Sequence, residues 1–130
     1  PAESIDFNGN TGPFIQYTHA RICSIVRKAG CVEAWSLADG RLGEKERAVL
    51  KVLHALPATV EAAAAAYSPA MVANYAYELA KAFNSFYQDT PILREAEPAL
   101  KAFRVQLCQA VAVALRNTMS ILGIEVPEKM

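Results

Sequence analysis

The sequence predicts an all-α fold, a bundle of about five helices that forms one domain. Two observations favour it: apolar residues recur every three or four positions in several segments, and residue types that start or stop helices bound those segments. No segment shows the sustained apolar–polar alternation of a half-buried strand. The chain has 130 residues, of which 53% are hydrophobic and 20% charged. That is enough to bury a core without disulfide or metal support.

The first predicted helix follows a polar segment, residues 1–10, which we expect to be an extended lead-in. Thr11 can cap a helix, and Pro13 suits the first turn, where its missing N–H is not needed. Gly30 is a plausible end of this helix. The residues expected on its buried stripe are Ile15, Ile22, Ile25, Val26 and Ala29.

The middle of the chain predicts two shorter helices that are separated by a proline. The first runs from about Glu44 to Leu56, and Pro57 interrupts it. The second passes through the alanine run Ala62–Ala66, since alanine is the best helix former. The residues expected to face the core from the first of these helices are Val49, Leu50, Leu53 and Leu56.

Two longer helices complete the predicted bundle. Ser68 as cap and Pro69 at the first position start one that extends to about Tyr87. The other should run from about Pro98 to Leu122. The residues expected to be buried on these two helices are Val72, Tyr75, Leu79, Phe83, Phe86, Leu100, Phe103, Leu107, Val111, Ala114 and Ile121.

The composition excludes several classes of function. The formal net charge is zero, so a nucleic-acid partner can only be signalled by local clustering. The three cysteines, Cys23, Cys31 and Cys108, form no C-x-x-C pair. They indicate reduced thiols in a cytoplasmic protein rather than a disulfide framework or a metal site. No apolar run approaches the roughly 20 residues that cross a membrane.

Positive charge is unbalanced in one place, residues 7–32, which contain no Asp or Glu. At about 100° per residue, one stripe of the first helix carries Phe14, Tyr17, Arg21, Ser24 and Lys28. Aromatic rings and cations in alternation suit single-stranded RNA, because bases stack on the rings while cations hold phosphates. The alternative is an ordinary amphipathic helix whose aromatics are core residues.

Three runs resemble a known family. They are GNTGPFIQYTHAR (9–21) with SIVRK (24–28), ANYAYELAKAFN (73–84), and LRNTMSILGIEVPEKM (115–130). In this order they are similar to the C-terminal anticodon-binding domain, of the DALR type, of arginyl-tRNA synthetases, which are class I aminoacyl-tRNA synthetases. The second run is also typical of cysteinyl enzymes. The segment between Cys31 and Ser68 matches only in length and helical character.

This resemblance implies a function and a set of contacts. The domain would recognise the anticodon loop of arginine tRNA, attached to the catalytic domain of the same parent chain, with no DNA or membrane partner. Met130 would be the parent's natural C-terminus, folded back toward the anticodon pocket. Phe14 stands where the family often has Tyr, so stacking is retained without the hydroxyl. The expected tRNA-contacting residues are Phe14, Tyr17, Arg21, Arg27, Lys28, Asn74, Tyr75 and Met130.

The chain lacks the sequence motifs of a synthetase active site. Neither an H-x-G-H motif nor a K-M-S-K-like loop occurs, so we expect no catalytic residue, metal site or cofactor in this domain. The resemblance implies that the parent enzyme joins arginine to its tRNA with ATP and Mg²⁺. Two alternatives remain at this point: a helical protein-interaction module without an RNA role, and the anticodon domain of a related enzyme such as the cysteinyl one.

Overall fold

The computed structural model describes residues 11–30 and 42–130, and within these ranges every regular element is an α helix. The predicted all-α fold is confirmed. The helices number five, or four if α2 and α3 are counted as one kinked helix. The predicted lead-in, residues 1–10, lies outside the described residues. The helices are α1 (Thr11–Ala29), α2 (Glu44–His54), α3 (Leu56–Ala65), α4 (Pro69–Asp89) and α5 (Pro98–Ile121).

The first helix, α1, closely follows its prediction. Ile15, Ile22 and Ile25 are buried on one stripe, whereas Pro13 is exposed in the first turn. The helix ends at Gly30, which has a φ of 66° and whose N–H donates to the Val26 carbonyl at 3.2 Å. Glycine adopts this left-handed backbone without steric cost.

Helices α2 and α3 are two halves of one kinked helix (Glu44–Ala65). Ala55 alone separates them, because Pro57 has no N–H to continue the helical ladder and its ring crowds the preceding turn. The first half therefore ends at His54, two residues before the predicted end at Leu56. Its predicted core residue Val49 is fully buried, whereas Leu50, Leu53 and Leu56 are half-buried.

The kinked helix is long and apolar enough to cross a membrane by length and composition, with a mean hydropathy of 1.3 over its most apolar window. The prediction concerned an uninterrupted apolar run, whereas this helix reaches the length only with Lys51, Pro57 and Glu61 included. Length and composition do not separate such a helix from one in a helical bundle. Here both halves pack against α4, with Val49 and Ala63 buried.

The last two helices begin at capping residues. Ser68 precedes Pro69 as predicted, although the Ser68 side chain makes no capping hydrogen bond. The Glu97 carboxylate accepts the N–H groups of Ala99 and Leu100 at 3.3 and 3.1 Å, which satisfies two of the free donors at a helix start. The observed ends, Asp89 and Ile121, differ by one or two residues from those predicted.

The predicted burial of these helices holds at nearly every position. Leu100 is half-buried. Ile121 is the error, since its side chain is 57% exposed. It lies in the last turn of α5, beside an open apolar cleft that it shares with Tyr67 and Val72, so no helix covers it. The other nine predicted positions are buried: Val72, Tyr75, Leu79, Phe83, Phe86, Phe103, Leu107, Val111 and Ala114.

Helix α4 is the centre of the bundle and packs against the other four helices. It runs beside α1 in the same direction, since Phe14 lies beside Tyr77 and Arg21 beside Asn84. Both helices therefore end at the same end of the bundle. The opposite end holds their first turns and the last turn of α5.

A buried ion pair joins α2 to α5. The Arg104 guanidinium contacts the Glu46 carboxylate at 3.1 Å and the Glu95 carboxylate at 2.9 Å. It also donates to the Pro91 carbonyl at 2.8 Å. One buried cation thus fixes α2, α5 and the α4–α5 connection relative to one another.

Candidate nucleic-acid interface

A groove of about 910 Å³ opens where α1 and α4 end. Its walls are the second half of α1, the end of α4 with the connection that follows it, and the chain after α5. Five of its sixteen lining residues are Arg or Lys, and none of those sixteen is Asp or Glu. The lining side chains are Tyr17, Ala20, Arg21, Ser24, Ile25, Arg27, Lys28, Tyr87, Gln88, Thr90, Pro91, Ile92, Leu93, Arg94, Lys129 and Met130.

The α1 wall carries most of the predicted stripe. Tyr17, Arg21, Ser24 and Lys28 all line the groove, since their spacings of four, three and four residues put them on one helical face. The Tyr17 ring is 53% exposed. Arg27 lies about 100° around the helix from Lys28, yet it also lines the groove because the chain after α5 forms a second wall on that side.

Arg21 is held in place from three sides. Its guanidinium lies over the rings of Tyr17 and Tyr87, at 5.4 and 4.9 Å from their centroids. Its Nη1 donates to Asn84 Oδ1 at 2.6 Å. The Asn84 amide in turn donates to Thr18 Oγ1 and the Ala80 carbonyl, at 2.9 and 2.8 Å. The cation and both rings are therefore pre-organised before any ligand binds.

The chain after α5, which we call the tail (residues 122–130), runs along α1 into the groove. Gly123, with a φ of 75°, turns the chain back at the end of α5. Side chains of α1 then contact tail carbonyl groups: Gln16 that of Glu125 at 3.1 Å, His19 that of Pro127 at 2.8 Å, and Arg27 that of Glu128 at 3.3 Å. These bonds bring Lys129 and Met130 to the groove.

Three predicted contact residues do not line the groove. Phe14 packs against Tyr77, with ring centroids 5.8 Å apart. Tyr75 is buried and its hydroxyl donates to the Val52 carbonyl at 2.7 Å, facing α2; burial raises its pKa to about 12. Asn74 lies near the start of α4, far from the groove, and its buried Oδ1 has no hydrogen-bond partner among the described residues. Phe14 was predicted as a contact because it shares a helical face with Tyr17 and Arg21. The pattern of one helix does not show that Tyr77 of α4 covers it.

Other groove residues were not predicted as contacts, notably Tyr87, Arg94 and Lys129. Asn84, which holds Arg21, was also missed. The signal that could have found two of them is helical spacing, since Asn84 ends the second matching run and Tyr87 follows it one turn later. Arg94 and Lys129 lie outside helices, where sequence periodicity gives no direction.

The described residues offer little for catalysis or metal binding. Among them, no group of three His, Cys, Asp or Glu side chains could hold a metal ion. Burial, with a smaller contribution from the Glu128 carboxylate, raises the pKa of the Cys23 thiol, which disfavours its nucleophilic thiolate form. What the groove offers is fixed positive charge beside exposed aromatic rings, an arrangement that suits phosphates and unstacked bases.

Comparison with known proteins identifies the family to which the chain is similar. The family model "DALR anticodon binding domain" matches residues 15–130. The whole chain is 50% identical to part of the arginine–tRNA ligase of Bacteroides thetaiotaomicron and 48% identical to part of that of Flavobacterium psychrophilum. It spans only 22% of the length of each of these curated relatives.

A solved structure extends the match to three dimensions. The arginyl-tRNA synthetase of Thermus thermophilus superimposes with a TM-score of 0.87 over 96% of this chain and 22% of that one, at 36% identity. These relatives favour the arginine enzymes over both alternatives, the cysteinyl enzyme and a protein-interaction module. The chain belongs to the DALR anticodon binding domain family, in the form that arginyl-tRNA synthetases carry.

Proposed function

We propose that this domain binds the anticodon loop of an arginine tRNA in the groove between α1, the end of α4 and the tail. The observation that carries the proposal is the lining of the groove, with five cations, no acidic side chain and two tyrosine rings around Arg21. The cations would hold phosphates, while the exposed ring of Tyr17 offers a face on which an unstacked base can stack.

The proposal extends to the parent protein. We propose that it joins arginine to its tRNA in the cytoplasm with ATP and Mg²⁺, at an active site outside the 130 residues of this chain. This domain would bind no cofactor and would contribute tRNA binding. The support is the naming of the relatives as arginine–tRNA ligases.

The direct test is a titration of the full 130-residue chain against a labelled anticodon stem-loop of an arginine tRNA. A second stem-loop carries a changed central anticodon base. We expect the first to bind more tightly, with an affinity that falls as salt rises. Equal affinity for both, or binding of neither at low salt, would contradict the proposal.

Charge reversal on the groove provides the matched test. Arg27→Glu combined with Lys28→Glu should weaken binding about tenfold or more, because it removes two phosphate contacts and adds repulsion. Arg47→Glu combined with Lys51→Glu is the control, since both side chains are exposed on α2 and neither lines the groove. An equal loss from both changes would indicate binding to general charge and not to the groove.

A further inference from the structure

We propose that His19 is a positioning residue for RNA binding, which acts by holding the tail against α1 so that the tail forms one wall of the groove. The inference rests on the proposed function for its RNA readout. Its structural part, the fixing of the tail by His19, can be tested without RNA.

The His19 contact is the best-defined bond between α1 and the tail. The ring is fully buried, and its Nδ1 lies 2.8 Å from the Pro127 carbonyl oxygen. A carbonyl oxygen only accepts hydrogen bonds, so Nδ1 carries the proton. In the neutral ring, Nε2 is then the acceptor; the Cys23 sulfur lies beside the ring, 3.8 Å from Nδ1 and 3.9 Å from Nε2. A buried ring N–H that can donate only from Nδ1 stabilises the tail and also fixes where the Pro127 carbonyl must lie.

His19 stands in the middle of a third face of α1. Gln16 and Arg27 contact tail carbonyls on either side of it, and the spacings of three and eight residues place all three on one helical side. This face differs from the buried isoleucine stripe and from the groove stripe. Helix α1 therefore has one face for the core, one for the groove and one that holds the tail.

The tail contributes directly to the groove. Lys129 and Met130 line it together with the α1 stripe, and they follow the Pro127 carbonyl that His19 holds by two and three residues. Arg27 both lines the groove and contacts the tail. Loss of the His19 bond should therefore displace one wall while the Tyr17–Arg21–Tyr87 arrangement stays in place.

The experiment uses the 130-residue chain with three changes at position 19. His19→Asn keeps an N–H donor near the Nδ1 position, whereas His19→Leu fills the site without a donor. The third, His19→Gln, moves the donor to the Nε2 position. His54→Leu is the control, because His54 is exposed on α2. The first readout is amide hydrogen exchange of residues 124–130 with the NMR shift of the Met130 methyl group.

We expect faster tail exchange and a shifted Met130 methyl signal in His19→Leu and His19→Gln, with His19→Asn and His54→Leu close to the parent. Tail protection in His19→Leu equal to that of the parent would overturn the proposal. If His19→Leu fails to fold by circular dichroism, His19→Gln decides the question instead, since it also removes the donor from the Nδ1 position, and parent-like tail protection in it would overturn the proposal.

The second readout is affinity for the anticodon stem-loop in a double-mutant cycle. His19→Leu should weaken binding about tenfold, and His19→Asn by much less. In a Met130→Ala background, His19→Leu should cost less than about twofold more, because both changes act through the tail. If the double variant lost affinity by the product of the two single-variant factors, the two changes would be independent, and this would contradict the positioning role. If the parent itself binds no stem-loop, the proposed function fails, while tail exchange still decides whether His19 holds the tail.

Discussion

The two long sides of the bundle differ in how their surfaces are built. The groove side consists of α1, the end of α4 and the tail, and its side chains are fixed by hydrogen bonds and ring–cation contacts. The kinked helix, on the other side, contacts α4 mainly through apolar side chains. It leads to Tyr67, which is 93% exposed at a φ of 51°.

The turns that end α3 and α5 show this difference at single-residue scale. The N–H of Ser68 donates to the Ala63 carbonyl and that of Tyr67 to Ala64. The N–H groups of Ile124 and Gly123 make the same pair of bonds at the end of α5. Both are Schellman turns with a left-handed residue at the same position. At the end of α5 this position is Gly123, where the chain turns toward the groove. At the end of α3 it is Tyr67, where the chain only connects α3 to α4.

This contrast teaches that local stability and functional geometry are separate requirements in this fold. The groove side keeps the low-strain residue at the turn that sets the direction of the tail. The kinked-helix side tolerates a backbone conformation that costs a non-glycine residue of order 1 kcal/mol.

The largest expected effect comes from the core that both sides share. Leu107→Asp should destabilise the domain by more than about 4 kcal/mol, because Leu107 is buried on α5 and the carboxylate would have no partner there. Urea melts followed by circular dichroism should show both sides unfolding together. Val113→Asp, at a position 47% exposed on the same helix, is the control. If Leu107→Asp were as stable as the parent, the assigned orientation of α5 would be wrong.

A smaller effect should come from the ion pair that joins the two sides. Arg104→Met would leave the buried Glu46 carboxylate without its cation, at a cost of about 3 kcal/mol. It should also loosen the groove wall at Pro91, whose carbonyl Arg104 holds. Lys45→Met is the matched control, since Lys45 and Asp89 form a solvent-exposed pair, and such pairs contribute little. Equal costs in the two variants would mean that burial does not strengthen the Arg104 pair.

High pH should lower the free energy of unfolding through groups buried in the core and beside the kinked helix. The loss should be comparable to that caused by Arg104→Met, or smaller. Burial raises the pKa of Cys108 from 9.0 to about 12 and that of Tyr75 from 10.0 to about 12. The folded state thus keeps protons that the unfolded chain loses, so stability is full below pH 9 and falls as pH rises toward 12. Urea melts at pH 7, 9 and 11 should show a loss at pH 11 to which Cys108 alone contributes roughly 2–3 kcal/mol. Cys108→Ala should make the decline shallower, and an unchanged slope would contradict this origin.

The smallest effects should come from the two turns, with opposite signs. Tyr67→Gly should stabilise the domain by about 1 kcal/mol, because it relieves the left-handed strain at an exposed side chain. Gly123→Ala should destabilise it by a similar amount, although open space surrounds the added methyl group. Thermal melts of both variants measure the difference. Shifts of the same sign would show that the two turns are not equivalent in energy.

The sequence predicted the helices better than it predicted the site. Pro69, Gly30 and the capping residues carry local signals, so the helix starts and ends were found within one or two residues. The buried stripes followed from periodicity, except at Ile121, where no neighbour covers the last turn. These features depend on residues close together in the chain.

The site depends on contacts that periodicity does not encode. Tyr17, Arg21 and Lys28 were predicted together because they share a helical face, and all three line the groove. Phe14 shares that face but packs on Tyr77, a contact set by the course of α4. The bonds from Gln16, His19 and Arg27 go to tail carbonyl groups, which every residue possesses and which therefore leave no sequence signal.

The acid-free lining of the groove has a kinetic consequence. The whole chain is formally neutral, so acidic residues elsewhere in the sequence balance the five cations of the lining. Within the lining the five cations meet no acidic side chain, so their fields add in the groove. A polyanion that comes near the domain would therefore be drawn toward the groove. Productive encounters would become more frequent, and their rate as well as the affinity would fall when salt screens the field.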